Sequence, residues 1–236
     1  MSQGYFITGT DTGIGKTWST VALMQYFKNQ GQTVLGMKPV ASGCDEVDGC
    51  LRNEDALLIH QHASIVLPYE DVNPYAFALA VSPHIAAEQV GVEIVLDTII
   101  EKYQQLEKLA DVVLVEGVGG WLVPLNAQEN VADLALKLDL PIIVVVGIRL
   151  GCINQAKLTF AAIQKTAVRC RGWIASCVER DMLMRDENIR TLCQSTEIPL
   201  LAVLPYMEKL NPECLSRMIS AKLLYHKNFM FIWLSV

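Results

Sequence analysis

The sequence has no CxxC pair, no excess of basic residues, no histidines at metal-ligand spacing and no apolar run approaching the ~20 residues that cross a bilayer. Each absence removes a class of function. Nineteen lysines and arginines stand against 25 aspartates and glutamates, a formal charge of −6, whereas binding a nucleic-acid backbone needs a basic surface. The most apolar segment near the end, Phe229-Met230-Phe231-Ile232-Trp233-Leu234, is far too short to span a membrane. Seven cysteines, an odd number without paired spacing, read as reduced thiols packed mostly as small core residues. His60 and His62 are two apart and share no helix face, and His84 and His226 are isolated. No Ser/His/Asp or Cys/His nucleophile arrangement stands out. The first residues lead straight into Gly4-Tyr5-Phe6-Ile7-Thr8, with no basic stretch and no apolar signal segment, so a cytoplasmic protein is expected, with neither nucleic acid nor membrane as partner.

What is present is core-forming material. Hydrophobic residues make up 52% of the 236 and charged residues 19%, enough to bury one large α/β domain over 1–236. Apolar runs at 5–8, 33–37, 112–115, 142–146, 173–178 and 200–204 read as strands covered on both faces. Helical patterns alternate with them at about 16–30, 53–62, 83–90, 93–109, 131–138, 153–167 and 186–195. Gly31 stops the first helix, and Ser82-Pro83 opens another as cap and first-turn proline. This alternation predicts a doubly wound, mostly parallel sheet flanked by helices.

The most specific motif is Gly9-Thr10-Asp11-Thr12-Gly13-Ile14-Gly15-Lys16-Thr17, set between a strand and a helix. Glycines let a chain curl until several backbone N–H groups point inward at phosphates, and the following helix adds its own free amides. Lys16 would reach the β- and γ-phosphates, and the Thr17 hydroxyl would face Mg²⁺. Five residues separate Gly9 from Gly15 where the common pattern has four, so Thr10 takes the place of the usual first glycine.

Three further charged residues invite two readings each. Glu116 ends the apolar run Val112–Val115 and precedes Gly117, Gly119 and Gly120; it is either a metal-holding acid or a surface acid at a strand end. Asp55 begins a helix, where an acid stabilises the helix dipole or binds a ligand. Lys38 closes a strand at the edge where ligands sit in parallel sheets, or it is simply solvated.

Taken together, the blocks resemble the dethiobiotin synthetase family. They are Phe6-Ile7-Thr8-Gly9-Thr10-Asp11-Thr12 with Gly15-Lys16-Thr17, Lys38-Pro39-Val40-Ala41-Ser42-Gly43, Leu51-Arg52-Asn53 with Asp55-Ala56-Leu57, and Val72-Asn73-Pro74-Tyr75. Ser82-Pro83-His84, Val115-Glu116-Gly117 with Gly119-Gly120-Trp121, Val145-Val146-Gly147 and Leu150-Gly151-Cys152-Ile153-Asn154 complete the set. The resemblance implies an enzyme that uses ATP and Mg²⁺ to join CO₂ to 7,8-diaminopelargonate and close the ring of dethiobiotin, through a carbamate and a carbamic–phosphoric anhydride. It implies phosphate and nucleotide contacts at Gly13, Ile14, Gly15, Lys16, Thr17, Trp18, Gly117 and Gly119, with Thr17, Asp55 and Glu116 as metal ligands. Lys38, Lys16 and Thr12 would act on the reacting groups, and Thr12, Ser42 and Ser82 would hold the diamine end. Ser176, Pro205, Tyr206 and Met207 would edge the purine, Ser176 standing where the family usually has Asn. Gly151, Cys152, Ile153 and Asn154 match a helix start that binds the substrate carboxylate across a homodimer interface. The likeness fades after Asn211, leaving 211–236 as a divergent apolar tail.

The competing readings are a nucleotide-switched regulatory ATPase, an amide-forming synthetase of corrin biosynthesis, and an altered or inactive paralogue. The first often carries an extra lysine early in its loop, and residues 1–15 contain none. The second usually carries a glutamine-hydrolysing domain for which the chain has no room.

Overall fold

Strands and helices alternate through the computed structural model, which describes residues 2–220. The first part runs β1 (Gln3–Gly9), α1 (Lys16–Asn29), β2 (Val34–Met37), β3 (Val40–Ser42), β4 (Asp45–Val47), β5 (Cys50–Arg52), α2 (Glu54–Gln61), α3 (Tyr69–Val72), β6 (Tyr75–Phe77), α4 (Pro83–Gln89) and α5 (Leu96–Leu106). The second adds β7 (Val112–Glu116), α6 (Val131–Leu138), β8 (Ile142–Ile148), α7 (Cys152–Gln164), β9 (Cys170–Cys177), α8 (Arg185–Ser195), β10 (Leu200–Leu204) and α9 (Pro212–Ser216).

Six strands pair in parallel in the order β10-β9-β8-β1-β7-β2, as the alternation predicts. The sheet separates two apolar layers because successive side chains on a strand point to opposite faces. Tyr5 and Ile7 of β1, Val112 and Leu114 of β7, and Ile143 and Val145 of β8 pack with α1 on one face. Phe6, Val113, Val115, Val144 and Val146 pack on the other with helices α4 to α8. That is why these strands are apolar at nearly every position. From β1 the chain reaches β2 by passing over β7, and β8 lies on the other side of β1. The carboxyl ends of β1, β7 and β2 therefore meet where the strand order reverses, the usual crevice for ligands in such sheets.

Several expectations need adjustment. The helix expected over 93–109 is shorter, Leu96–Leu106, because Val95 is extended at its start and Glu107 caps its end. The strand expected from 173 begins at Cys170, since pairing with Ile142 of β8 extends it beyond its apolar run. Ser82 precedes Pro83 as placed, yet its hydroxyl makes no cap and lies 3.0 Å from His84 Nδ1. The short pairs β3–β6 and β4–β5 were missed, since three residues are too few for a periodic signal. The second pair had a local clue: Asp48-Gly49 takes two successive positive φ values, 51° and 75°, as hairpin turns of this composition do. The tail expected over 211–236 begins with Asn211 capping α9, while 221–236 lies outside the described residues.

Candidate active site

The phosphate loop occupies the gap between β1 and α1, and two glycines of β1 and β8 make room for it. Ile14 is wholly buried, with its Cγ2 2.6 Å from where a Cβ on Gly147 would stand and its Cδ1 2.6 Å from that of Gly9. Gly13 and Gly15 both have positive φ, 69° and 82°, which side-chain-bearing residues rarely adopt. Around Gly13 there is open space, so conformation alone demands glycine there, whereas a Cβ at Gly15 would also meet the Ser176 hydroxyl. Asp11 pins the loop from outside. Its Oδ2 accepts from Arg149 at 2.5 Å and from Gln155 at 3.4 Å, and its Oδ1 accepts from the Thr12 amide at 2.8 Å. The Thr10 amide donates to Val145 O at 3.1 Å, so the residue in the usual glycine place is held by β8.

Charged groups converge beneath the loop. Glu116, 0% exposed at the end of β7, receives three donors: Lys38 Nζ (2.7 Å) and Thr17 Oγ1 (2.9 Å) on Oε1, and Thr20 Oγ1 (2.6 Å) on Oε2. Lys38 Nζ also reaches Asp55 Oδ2 at 3.2 Å. Burial pushes Lys38 down, but the Glu116 and Asp55 carboxylates outweigh it and hold its pKa above the ordinary lysine value. Burial pushes Asp55 up, and the nearby Lys38 and Lys16 ammonium groups more than reverse this, leaving its pKa below the usual value. Lys16 is different. Burial, then repulsion from Lys38, lowers it to about 8 against the opposing pull of Glu116, Asp55 and Asp11. Its Nζ meanwhile donates to the Asp11 carbonyl at 2.6 Å. A pair of poorly solvated cations facing an open crevice is suited to an anion.

Lys16, Thr17, Lys38 and Asp55 line one cavity of about 810 Å³. Its middle is Thr12, Gly13, Ile14, Gly15, Lys16, Thr17, Lys38, Asp55 and Gly119. One end carries Ala41, Ser42, Ala80, Ser82 and Val123; the other carries Trp18, Ser176, Pro205, Tyr206, Met207 and Leu215. Glu116 lies behind Thr17 and Lys38, and Gly117 presents its carbonyl 3.5 Å from Lys38 Nζ. Trp18 packs partly against the α1-side core beside the apolar end. The hydroxyl of Thr17 and the carboxylates of Asp55 and Glu116 are hard oxygen donors that could hold Mg²⁺, with water and phosphate completing its shell. Among the described residues no cluster of three His, Cys, Asp or Glu side chains could cage a metal unaided.

Gly151, Cys152, Ile153 and Asn154 do not line this cavity. Cys152 has no donor free for a ligand: its side chain is wholly buried, with Sγ 3.8 Å from Asn188 Oδ1, and its amide donates to Arg149 O at 3.0 Å. The helix-start amides of Ile153 and Asn154 remain. Thr20 was missed by the reading of the sequence, although its place three residues after Thr17, on the same helix face, was a usable signal.

Comparison with known proteins agrees with this geometry. A family model described as an AAA domain matches residues 3–214. The ATP-dependent dethiobiotin synthetase BioD of Xylella fastidiosa (strain Temecula1) is 45% identical over 213 residues, covering 90% of this chain and 94% of that relative. This chain belongs to the dethiobiotin synthetase family. The Nitrosospira multiformis member of the family is 43% identical over 219 residues, covering 93% of this chain and 95% of its own. Among solved structures, a ParA family ATPase from Chlorobium tepidum superposes with a TM-score of 0.56 at 12% identity, covering 95% of this chain and 98% of that one. MinD from Pyrococcus horikoshii, solved with Mg-ADP, gives 0.51 at 18% identity, covering 93% and 87%. These likenesses show a shared fold; the dethiobiotin synthetases share the sequence as well. Among the described residues no helix is long and apolar enough to cross a membrane.

Proposed function

We propose that this chain uses ATP to join CO₂ to 7,8-diaminopelargonate, closing the ureido ring of dethiobiotin in biotin biosynthesis. The observation that carries the reading is that Lys38 lines one cavity together with the phosphate loop, Ser42 and Ser82. One amine of the substrate adds to CO₂ and loses a proton, giving a carbamate. A carbamate oxygen then attacks the γ-phosphorus of ATP and ADP leaves. The second amine attacks the carbamoyl carbon of the resulting anhydride, expels phosphate and closes the ring.

The difficult encounter is anion with anion, and preorganised cations lower its cost. Lys16 neutralises the β- and γ-phosphates, and Lys38, held in place by Glu116 and Asp55, meets the carbamate and the transferring group. Thr12 and Ser42 hydrogen-bond the carbamate end, with Ser82 beside the diamine. Thr17, Asp55 and Glu116 would hold Mg²⁺, which supplies charge neutralisation between the phosphates. Because Thr17 donates its proton to Glu116, its lone pairs are left for that ion. Trp18, Pro205, Tyr206 and Met207 would enclose the base, with the Ser176 and Tyr206 hydroxyls available to read it.

The working unit in this reading is a cytoplasmic homodimer. Segment 151–154 lies outside its own chain's cavity and Leu150 beside it is 95% exposed, which supports the reading that its helix-start amides serve a neighbour's site. The test is phosphate release from ATP-Mg²⁺ and bicarbonate, with and without the diamine. Diamine-dependent release that Lys38→Ala lowers by about 10²-fold or more is expected of a group acting in the transition state. Nucleotide binding with no response to the diamine would instead support a switch or an altered paralogue.

A further inference from the structure

Two blocks of the sequence, Leu51-Arg52-Asn53 and Val72-Asn73-Pro74-Tyr75, have no place in the chemistry above, yet they meet beside Lys38. Both peptide groups of Lys38 are tied to the second block: its N–H donates to Val72 O at 2.8 Å, and its carbonyl accepts from Asn73 Nδ2 at 2.7 Å. Asn73 Oδ1 accepts from the Tyr69 hydroxyl at 2.9 Å. That same phenolic oxygen accepts from the backbone N–H of Asn53 at 2.9 Å. Asn53 in turn caps α2 by accepting from the Ala56 amide at 3.2 Å, and Asp55 lies in the turn it caps. The Arg52 guanidinium covers the Tyr69 ring at 4.2 Å. Asn73 and Tyr69 are 3% and 8% exposed, so water does not readily replace these bonds.

We propose that Tyr69 and Asn73 are positioning residues for phosphoryl transfer, a bridge that sets the Lys38 ammonium against the Asp55 carboxylate. The argument is one of connectivity. Lys38 stands at the end of β2 and Asp55 on α2, 17 residues apart in sequence. The pair Tyr69–Asn73 joins their two backbones through fixed, buried groups. Each bond uses a donor or acceptor that burial would otherwise leave unpaired, so the bridge has few alternative arrangements. Neither residue lines the cavity, so neither is offered as a contact to substrate.

The proposal rests on the synthetase reading, and its test separates the two. Tyr69→Phe keeps the ring and removes both bonds. Diamine-dependent turnover of the full chain should fall about 10- to 100-fold in kcat with KM for ATP changed less than about twofold, as a small displacement of a reacting group does. In a Lys38→Ala background the same change should lower kcat by less than about twofold, because residues acting through one another are not additive. Asn73→Ala should repeat the pattern by cutting the bond to the Lys38 carbonyl. An unchanged kcat for Tyr69→Phe, an equal fold-loss in both backgrounds, or a fall in ATP affinity that accounts for the lost rate overturns it. Wild-type protein without diamine-dependent turnover would defeat the synthetase reading instead. In either case a crystal structure of Tyr69→Phe decides the positioning separately: Lys38 Nζ outside hydrogen-bond reach of Asp55 supports it, and an unchanged contact defeats it.

Discussion

Glu116 can accept at both carboxylate oxygens but has no contact with water, so each donor around it matters. Thr17 and Lys38 share Oε1, while among the described residues Thr20 alone donates to Oε2. The Thr20 hydroxyl has one proton and also lies 3.0 Å from Lys16 O; the shorter, charge-assisted bond to Glu116 takes it. Thr20→Val therefore leaves a buried oxygen unpaired at a cost of about 1–3 kcal/mol of stability, to be read by denaturant unfolding. The Mg²⁺ concentration for half-maximal nucleotide binding, measured by calorimetry, is expected to rise about 10- to 100-fold, as when other outer partners of metal ligands are lost. Thr20→Ser should restore most of it. Lys16 supplies a pH dependence. With its pKa lowered to about 8, it is charged below that pH and increasingly neutral above it. A bound phosphate favours the charged form, so ATP affinity without Mg²⁺ should weaken as pH rises through about 8, with proton uptake on binding. Calorimetry in buffers of different ionisation enthalpy measures that uptake, and a constant affinity with no uptake would contradict the assignment.

At the scale of elements, the loop is held by a fit between Ile14 and the glycines of its neighbouring strands. Gly147 has no positive φ, so its lack of a side chain serves space alone. Gly147→Ala should push Ile14 outward, cost about 1–3 kcal/mol as overpacking does, and weaken ATP binding by displacing the loop amides. Combining it with Ile14→Ala should recover only part of the lost ATP affinity, because the Cγ2 contact goes while the Ile14 Cβ, 2.8 Å from the added methyl, stays. Gly15→Ala has no such partner change, since its φ of 82° remains strained whatever surrounds it. The Asp48-Gly49 hairpin and the Thr17/Thr20 spacing were both available in the sequence, because each is a local pattern. The Tyr69–Asn73 bridge was not: its members are ordinary residues whose meaning depends on where Lys38 and Asn53 arrive after folding.

At the scale of the molecule, the P-loop ties the centre of the sheet to its ligand. ATP at 100 times its Kd should stabilise the fold by about 2.7 kcal/mol, visible as a rise in Tm that grows with concentration. The proposed homodimer adds a second test. Leu150 is 95% exposed next to the segment offered to the neighbour. Leu150→Glu is expected to shift the protein towards monomer in sedimentation and to raise KM for the diamine, while ATP affinity stays near the wild-type value. A dimer unaffected by this change, with unaltered diamine kinetics, would place the interface elsewhere.

The parallel α/β architecture and the phosphate loop were legible along the chain, because apolar periodicity, β-branched strands and Gly-Lys-Thr after a strand are local signals with local causes. Alone, the sequence left Lys38, Asp55 and Glu116 with two readings each. Tertiary structure decided their placement by bringing the ends of β2 and β7 and the start of α2 within hydrogen-bond distance. It likewise decided that Glu116 is wholly buried and that segment 151–154 stands outside its own cavity. Charge, burial and reach are properties of neighbours, and those neighbours are assembled only by the sheet.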